Sequence, residues 1–176
     1  MSEELLDLIP EFNLIKDSGL REKCLQTWIE AMRRGGWKAS DLNEMAFTLL
    51  IPDCPVSFVE HTRAVTLTCV AVADVFEKIY GDRNPVNRDQ LTAGALLHDV
   101  GKLLEYARMG VETVKSEFGA RLRHPFGGVI LAAEQGLPSE VLHMIAAHAR
   151  EGDLVKRSTE ATILFHADFT SFETLK

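Results

Sequence analysis

Apolar residues recur at helical spacing along most of this chain, and that pattern limits its fold more than any other feature. Within residues 20–34 the apolar side chains fall three or four positions apart, and Gly35 and Gly36 close the segment. This spacing is typical of an amphipathic helix with one buried face, whereas the alternation that a half-buried strand needs is scarce. The sequence therefore predicts an all-α fold.

Local start signals place several of the helices. Ser57 and Glu60 form a capping box, in which a hydroxyl and a carboxylate satisfy backbone amides at a helix start. Pro125 directly follows His124, and proline is typical of a first helical turn. The pattern predicts helices over the approximate ranges 20–34, 40–50, 57–80, 87–99, 125–136, 139–149 and 158–172.

Two stretches lack a helical pattern, and neither divides the chain into domains. Residues 81–86 are predicted to be a turn-rich connection, and residues 110–123 a loop or a short hairpin. The 176 residues fit one domain of ordinary size. We expect one structural domain, in which residues 1–56 form a helical extension packed on a core of residues 57–176.

The charge balance disfavours some classes of function. The chain has 19 Lys and Arg against 26 Asp and Glu, a formal net charge of −7, which argues against a non-specific grip on nucleic acid. A small phosphorylated ligand stays compatible with this charge, because one buried cation or a metal ion can bind it locally. The sequence leaves the oligomeric state open.

The cysteines and the N-terminal residues bear on the compartment. Cys24, Cys54 and Cys69 lack CxxC spacing and predict free thiols in a reducing environment. The acidic N-terminal segment differs from a basic targeting signal, and no apolar run approaches the ~18 residues that cross a bilayer. A cytoplasmic protein without a membrane partner is expected.

Histidine and aspartate residues occur inside segments that otherwise look buried. His98 and Asp99 follow the apolar residues 93–97, His148 ends the apolar run 141–147, and Asp168 lies in an apolar turn. A carboxylate is almost never fully buried without a partner, and either an arginine or a divalent cation can provide the compensating charge. The pair His98 and Asp99, taken alone, leaves these two alternatives open.

The distribution of these residues over several predicted helices favours a metal. Helices packed around one centre can bring such groups together, as helical bundles do in di-metal sites. Imidazole and carboxylate donors without thiolate suit Fe, Mn, Zn, Co or Ni. No two histidines lie four residues apart, which excludes a helical HExxH zinc motif. We interpret His143 and His166 as surface, supporting or hydrogen-bonded core residues.

One family matches this ordered pattern. The series His61, His98-Asp99, His124, His148 and Asp168 resembles the H…HD…H…H…D pattern of the HD-domain superfamily of metal-dependent phosphohydrolases. The sequence HDVGK at residues 98–102 is similar to the HDxGK form of its motif. The resemblance covers about residues 57–172 and implies a single helical HD-domain bundle with a short loop or hairpin insertion.

The resemblance also implies a metal centre and its ligands. It implies one or two divalent transition-metal ions per chain, with iron favoured and Mn, Ni, Co or Zn as alternatives. The ligands of the first metal would be His61, His98, Asp99 and Asp168. The second metal would be bound by Asp99, His124 and His148, with Asp99 as the bridge.

The same resemblance implies catalytic roles for two residues. Asp99 would hold both metals, and Lys102 would bind a phosphate oxygen or stabilise negative charge in the transition state. Alternatively, Lys102 is an exposed lysine at a helix C-terminus, where the helix dipole favours a cation. The weaker candidates for phosphate binding are Arg63, Arg150, Lys156 and Arg157.

Three functions fit this site. The favoured function is hydrolysis of a small phosphoester, such as a phosphomonoester, a nucleotide or a dinucleotide, by a metal-activated water. The pattern also resembles the mixed-valent di-iron oxygenases, of which myo-inositol oxygenase is a member, and these use the same kinds of ligand. The third alternative is a binding module with a structural metal, although structural sites usually have about four ligands.

Overall fold

Helices make up most of the molecule, a computed structural model that describes residues 2–110 and 112–176. Met1, and Val111 within the predicted loop or hairpin, lie outside the described residues. The helices are α1 (Ser2–Leu8), α2 (Ser18–Gly35), α3 (Phe58–Tyr80), α4 (Arg88–Leu97), α5 (Lys102–Glu105), α6 (His124–Glu134), α7 (Ser139–Ala147) and α8 (Thr159–Glu173). A two-stranded antiparallel sheet is formed by β1 (Tyr106–Met109) and β2 (Glu112–Lys115). The predicted all-α fold is confirmed.

Helix α3 begins and ends at the residues that the sequence indicates. The Ser57 hydroxyl accepts the Glu60 amide at 3.2 Å, and the Glu60 carboxylate accepts the Ser57 amide at 2.8 Å. Gly81 ends the helix with a φ of 53°, a conformation that costs glycine little. The capping box therefore fixes the start of the helix that carries His61.

Helix α4 lies at the centre of the molecule. Every residue from Leu91 to Leu97 is buried, and the helix packs between α2, α3, α7 and α8. A helix that is apolar on all sides is stable only inside a protein. The residues that directly follow α4, His98 and Asp99, are consequently delivered to the interior.

The N-terminal residues pack directly on this centre. The indole of Trp28 on α2 donates to the Leu96 carbonyl at 2.9 Å, and the indole of Trp37 donates to the Leu103 carbonyl at 2.9 Å. These two bonds hold the chain on both sides of the segment that contains His98 and Asp99. Buried apolar residues form one cluster from Leu5 to Ala167, while the domain division at residue 56 stays a prediction.

The helix predicted over residues 40–50 is wrong. A short 3₁₀ helix (Ala39–Asn43) is followed by an irregular segment that pairs with the start of α3. The Phe58 amide donates to the Met45 carbonyl at 2.7 Å, and the Phe47 amide donates to the Val56 carbonyl at 3.2 Å. This extended pairing takes the place of a helix. In it the side chains of Met45 and Phe47, two positions apart, are both buried.

The hairpin and several helix ends differ from the predicted bounds. The hairpin starts at Tyr106, before the predicted stretch 110–123, and α7 ends at Ala147 rather than at residue 149. The N-terminal helix α1 and a 3₁₀ helix (Pro10–Leu14) were not predicted. Within residues 2–110 and 112–176, no helix is long and apolar enough to cross a membrane.

Candidate metal centre

The segment after α4 is a tight turn rather than the predicted continuation of the helix to Asp99. The Val100 amide donates to the Leu97 carbonyl at 3.1 Å, and the Lys102 amide donates to the Asp99 carbonyl at 2.8 Å. The turn lies against the start of α6, where a Cβ on Gly101 would meet the His124 carbonyl oxygen at 2.0 Å. Only glycine fits this contact, which brings the turn and His124 together.

Four of the predicted ligands form a first cluster. The Nε2 atoms of His61 and His98 are 3.3 Å apart, and they lie 3.3 and 3.4 Å from Oδ2 of Asp99. Oδ1 of Asp168 on α8 lies 3.1 Å from His61 Nε2 and 3.8 Å from His98 Nε2. The ligand atoms of His61, His98 and Asp99 lie close enough together to hold a metal ion, and the Asp168 carboxylate lies beside the two histidines.

The other oxygen of Asp99 belongs to a second cluster. Oδ1 lies 3.3 Å from Nε2 of His124 and 3.6 Å from Nε2 of His148, and the two nitrogens are 3.2 Å apart. This trio also could hold a metal ion. The six residues predicted from the sequence are therefore brought together, and the two oxygens of Asp99 face different histidine pairs.

Two of the histidines are oriented by backbone carbonyl groups. Nδ1 of His98 lies 2.6 Å from the Ala95 carbonyl oxygen, and Nδ1 of His148 lies 2.7 Å from the Ile145 carbonyl oxygen. A carbonyl can only accept, so Nδ1 carries the proton in both rings. The lone pair of each neutral ring is consequently on Nε2, which points into the centre.

The other two histidines use side chains for the same purpose. Nδ1 of His61 lies 3.0 Å from the Ser171 hydroxyl. Nδ1 of His124 lies 2.8 Å from Oε2 of Glu105, which also accepts the His124 backbone amide at 2.6 Å. Such partners fix the ring orientation and the tautomer of metal-binding histidines.

The second trio is a set of acceptors that face one another. In the neutral form of both rings, with Nδ1 donating to its partner, the Nε2 atoms of His124 and His148 present lone pairs, as Asp99 Oδ1 does, and all three residues are buried. Burial lowers the pKa of His124 to about 4, so a proton does not satisfy this nitrogen at neutral pH. Buried hydrogen-bond acceptors that face one another without a hydrogen-bond donor are costly. A divalent cation would bind all three of these atoms as ligands.

Lys102 is buried beside the shared carboxylate, and the alternative of an exposed lysine is wrong. Its Nζ donates to Asp99 Oδ2 at 2.5 Å and lies 5.2 Å from the centroid of the Phe47 ring. Burial lowers the pKa of Lys102, but the Asp99 carboxylate, Tyr106 and Asp168 together raise it above its usual value. Burial raises the pKa of Asp99, but Lys102 and His98 hold it well below its usual range. Both groups are therefore charged at neutral pH.

The Phe47 ring covers one side of the centre, and Asp168 is the most exposed of the six predicted ligands. Phe47 stacks on the His61 ring at a centroid distance of 4.1 Å and an interplanar angle of 17°. Asp168 has the most exposed side chain of the six, at 14%. Burial raises the pKa of Asp168, but the hydrogen bond from His61 and the nearby His98 and His148 rings together bring it below its usual value. Asp168 is therefore a partly exposed carboxylate.

Of the four weaker candidates for phosphate binding, two bind groups of the protein and two are exposed. Arg63 binds the Glu11 carboxylate at 3.0 Å. Arg157 donates to the Ala147 carbonyl at 2.7 Å and to the Asp153 carboxylate at 2.8 Å. It therefore binds the last residue of α7. The exposed residues are Arg150 and Lys156.

The two remaining histidines lie away from the six. His143 accepts the Ser158 amide at 3.2 Å, and His166 is exposed on α8.

Sequence reasoning missed Phe47, Glu105 and Ser171. Glu105 follows two leucines, so an acid next to apolar residues is a signal that could have found it. Phe47 and Ser171 are residue types common in any helical protein, and their roles depend on contacts with His61 across the fold. No local pattern indicates them.

Comparisons with known proteins agree with this geometry. A family model described as HD domain matches residues 58–172. The chain is 36% identical, over 165 aligned residues, to a dihydroneopterin 2',3'-cyclic phosphate phosphodiesterase of Methanocaldococcus jannaschii. The alignment covers 88% of this chain and 63% of that relative, so the chain spans less than two thirds of the relative's length. A search of the solved structures finds no match.

Proposed function

The chain belongs to the HD-domain family, and from this premise we propose that it is a metal-dependent phosphohydrolase acting on a small phosphoester. The observation that carries this proposal is the division of Asp99 between two histidine pairs, with Oδ2 facing one and Oδ1 facing the other. A single carboxylate in that position holds two cations close together and offsets part of their repulsion. The name of the relative supports hydrolysis of a phosphoester.

The ligand assignments follow the two clusters. The first metal is held by His61, His98, Asp99 and Asp168. The second metal is held by Asp99, His124 and His148. The imidazole and carboxylate donors suit Fe, Mn, Co, Ni and Zn, and we propose Fe(II) as the first metal to test. When bound, two such ions would supply an activated water and a clamp on phosphoryl oxygens.

The residues of the chain provide orientation and charge for this reaction. The four histidines keep their Nε2 atoms directed inward, because each Nδ1 has a fixed partner. Lys102 adds a positive charge beside Asp99 and stabilises the negative charge that develops on the phosphoryl oxygens. Asp168 on α8 has the most exposed side chain of the six, at 14%, so we expect the substrate to approach the centre from the side of α8.

The proposed substrate class is a small phosphoester rather than a nucleic acid. The net charge of −7 disfavours a long polyanion, which needs a cationic surface. The relative's name makes a 2',3'-cyclic phosphate the first substrate to test. Phosphomonoesters, nucleotides and dinucleotides complete the panel. A 2',3'-cyclic phosphate would be opened by attack of water on phosphorus, which gives a phosphomonoester.

The experiment is an activity screen with defined metals. Metal-free protein is reconstituted with Fe(II) or Mn(II) and incubated with 2',3'-cyclic nucleotides, nucleotides and p-nitrophenyl phosphate, and the phosphate or ring-opened product is measured. We expect metal-dependent hydrolysis of at least one class, absent in Asp99→Ala. Oxygen consumption is recorded in parallel with Fe(II). Oxygen uptake with a carbon substrate and no phosphoester hydrolysis would contradict the proposal and favour the di-iron oxygenase alternative.

A further inference from the structure

Glu105 is a buried acid that makes two contacts with one proposed metal ligand. Its Oε2 accepts the backbone amide of His124 at 2.6 Å and the Nδ1–H of the same residue at 2.8 Å. A carboxylate that accepts two N–H groups on one oxygen is favoured in its ionised form. Glu105 thus fixes both the main chain and the ring of His124.

The position of Glu105 is itself set by the segment after the hairpin. The Ser116 amide donates to the Glu105 carbonyl at 2.8 Å. At Gly119, a Cβ would lie 2.2 Å from the Glu105 carbonyl oxygen and 2.9 Å from its Cγ, so only glycine allows this packing. The segment of residues 116–119 therefore packs on Glu105 and holds its side chain against the start of α6.

The two clusters differ in the negative charge of their ligands. The first cluster has two carboxylates, from Asp99 and Asp168. The second has only the shared Asp99 together with two imidazoles. Glu105 adds a negative charge directly behind His124, whereas His148 has a neutral carbonyl in the corresponding place.

We propose that Glu105 is a positioning residue that gives the second trio (Asp99, His124 and His148) its affinity for a metal ion. This inference rests on the proposed dinuclear centre. The bond to Nδ1–H makes Nε2 of His124 a stronger donor, and the bond to the amide keeps the ring directed at Asp99 Oδ1. Loss of such partners typically costs 10–100-fold in metal affinity. Glu105 touches neither substrate nor metal.

The test measures Mn(II) binding rather than activity. Wild type and Glu105→Gln are titrated with Mn(II) by calorimetry, and electron paramagnetic resonance distinguishes a coupled Mn(II) pair from an isolated ion. The glutamine keeps the size of the side chain and removes its charge. We expect two bound ions in wild type, and in E105Q one unchanged site and one weakened about 10–100-fold, with loss of the pair signal.

Two backgrounds identify which site is affected. In His148→Ala, which dismantles the second trio, adding E105Q should leave the affinity of the remaining site unchanged. In His61→Ala, which damages the first cluster, adding E105Q should weaken the remaining site. Circular dichroism verifies folding, and Glu105→Ala is the second variant, expected to weaken the second site at least as much.

The possible failures are distinguishable. Two tight ions in wild type and in both Glu105 variants would overturn the role of Glu105 and leave the dinuclear centre intact. Equal weakening in the two backgrounds would also overturn it, since Glu105 would then support the fold in general. Fewer than two ions in wild type would contradict the proposed centre itself.

Discussion

Replacing Gly101 with alanine should damage the second metal site through packing alone. The new Cβ would lie 2.0 Å from the His124 carbonyl oxygen and 2.5 Å from the Gly128 amide, whereas Cβ contacts below 3.0 Å essentially never occur. One of the two segments must move by about 1 Å, because both atoms are backbone and have no rotamer to change. That movement separates His124 from Asp99, which are 3.3 Å apart between Nε2 and Oδ1.

The size of the effect follows from this displacement. Overpacking of a core typically costs about 1–3 kcal/mol, and for a domain of this size each kcal/mol lowers Tm by about 2–4 °C. We therefore expect a fall in Tm of about 2–12 °C. Metal–ligand distances tolerate about 0.2 Å, so a shift of about 1 Å should abolish binding at the second trio.

Calorimetric unfolding and Mn(II) titration test this prediction. Gly36→Ala is the matched control, because Gly36 has a φ of 74° and no atom within 4 Å of the added Cβ. It should lose about 1–2 kcal/mol through backbone strain and keep both ions. A Gly101→Ala variant that binds two Mn(II) ions with wild-type affinity would refute the argument that this contact positions His124.

Three further predictions concern ligands, charge and thiols. Asp99→Ala should abolish metal binding and turnover, whereas His143→Ala should leave both nearly intact. If the two substitutions reduce metal content and turnover equally, the histidines are wrongly assigned. Lys102→Met should lower kcat by about 10²-fold with unchanged metal content, and loss of metal would contradict its role toward the substrate. Burial raises the pKa of Cys24 and of Cys69 to about 12 from 9.0. The unfolded chain thus loses these protons near pH 9 and the folded chain does not, so the free energy of unfolding should fall above pH 9, by up to about 1.4 kcal/mol per pH unit for each thiol. Urea unfolding between pH 8 and 10.5 measures this slope, which should flatten in the double alanine variant.

The parts of the fold that were predictable depend on local signals. The capping box at Ser57 and the glycine at position 81 give both ends of α3, because each acts through its immediate neighbours. The helix predicted over residues 40–50 was wrong because the conformation of this segment depends on pairing with Val56 and Phe58. The spacing of apolar residues carries no information about that pairing. The helix at His98 ends early for a similar reason, since Gly101 packs against α6.

The proposed metal ligands of the candidate site could be predicted from the sequence, whereas the residues that hold those ligands in position could not. His and Asp side chains in apolar segments are conspicuous, because an unpartnered buried charge is costly. Glu105 and Phe47 support the site through contacts with residues 19 and 14 positions away along the chain, and these contacts exist only in the folded molecule. Lys102 could be identified from its motif, but its burial against Asp99 depends on the turn after α4.

The central claim is that Asp99 bridges two metal ions. It is tested most directly by a crystal structure of the Mn(II)-loaded protein with anomalous data collected above the manganese edge. We expect two peaks ~3.5–4 Å apart on either side of the Asp99 carboxylate, one beside His61 and His98 and the other beside His124 and His148. A single peak, or peaks that do not contact Asp99, would contradict the account.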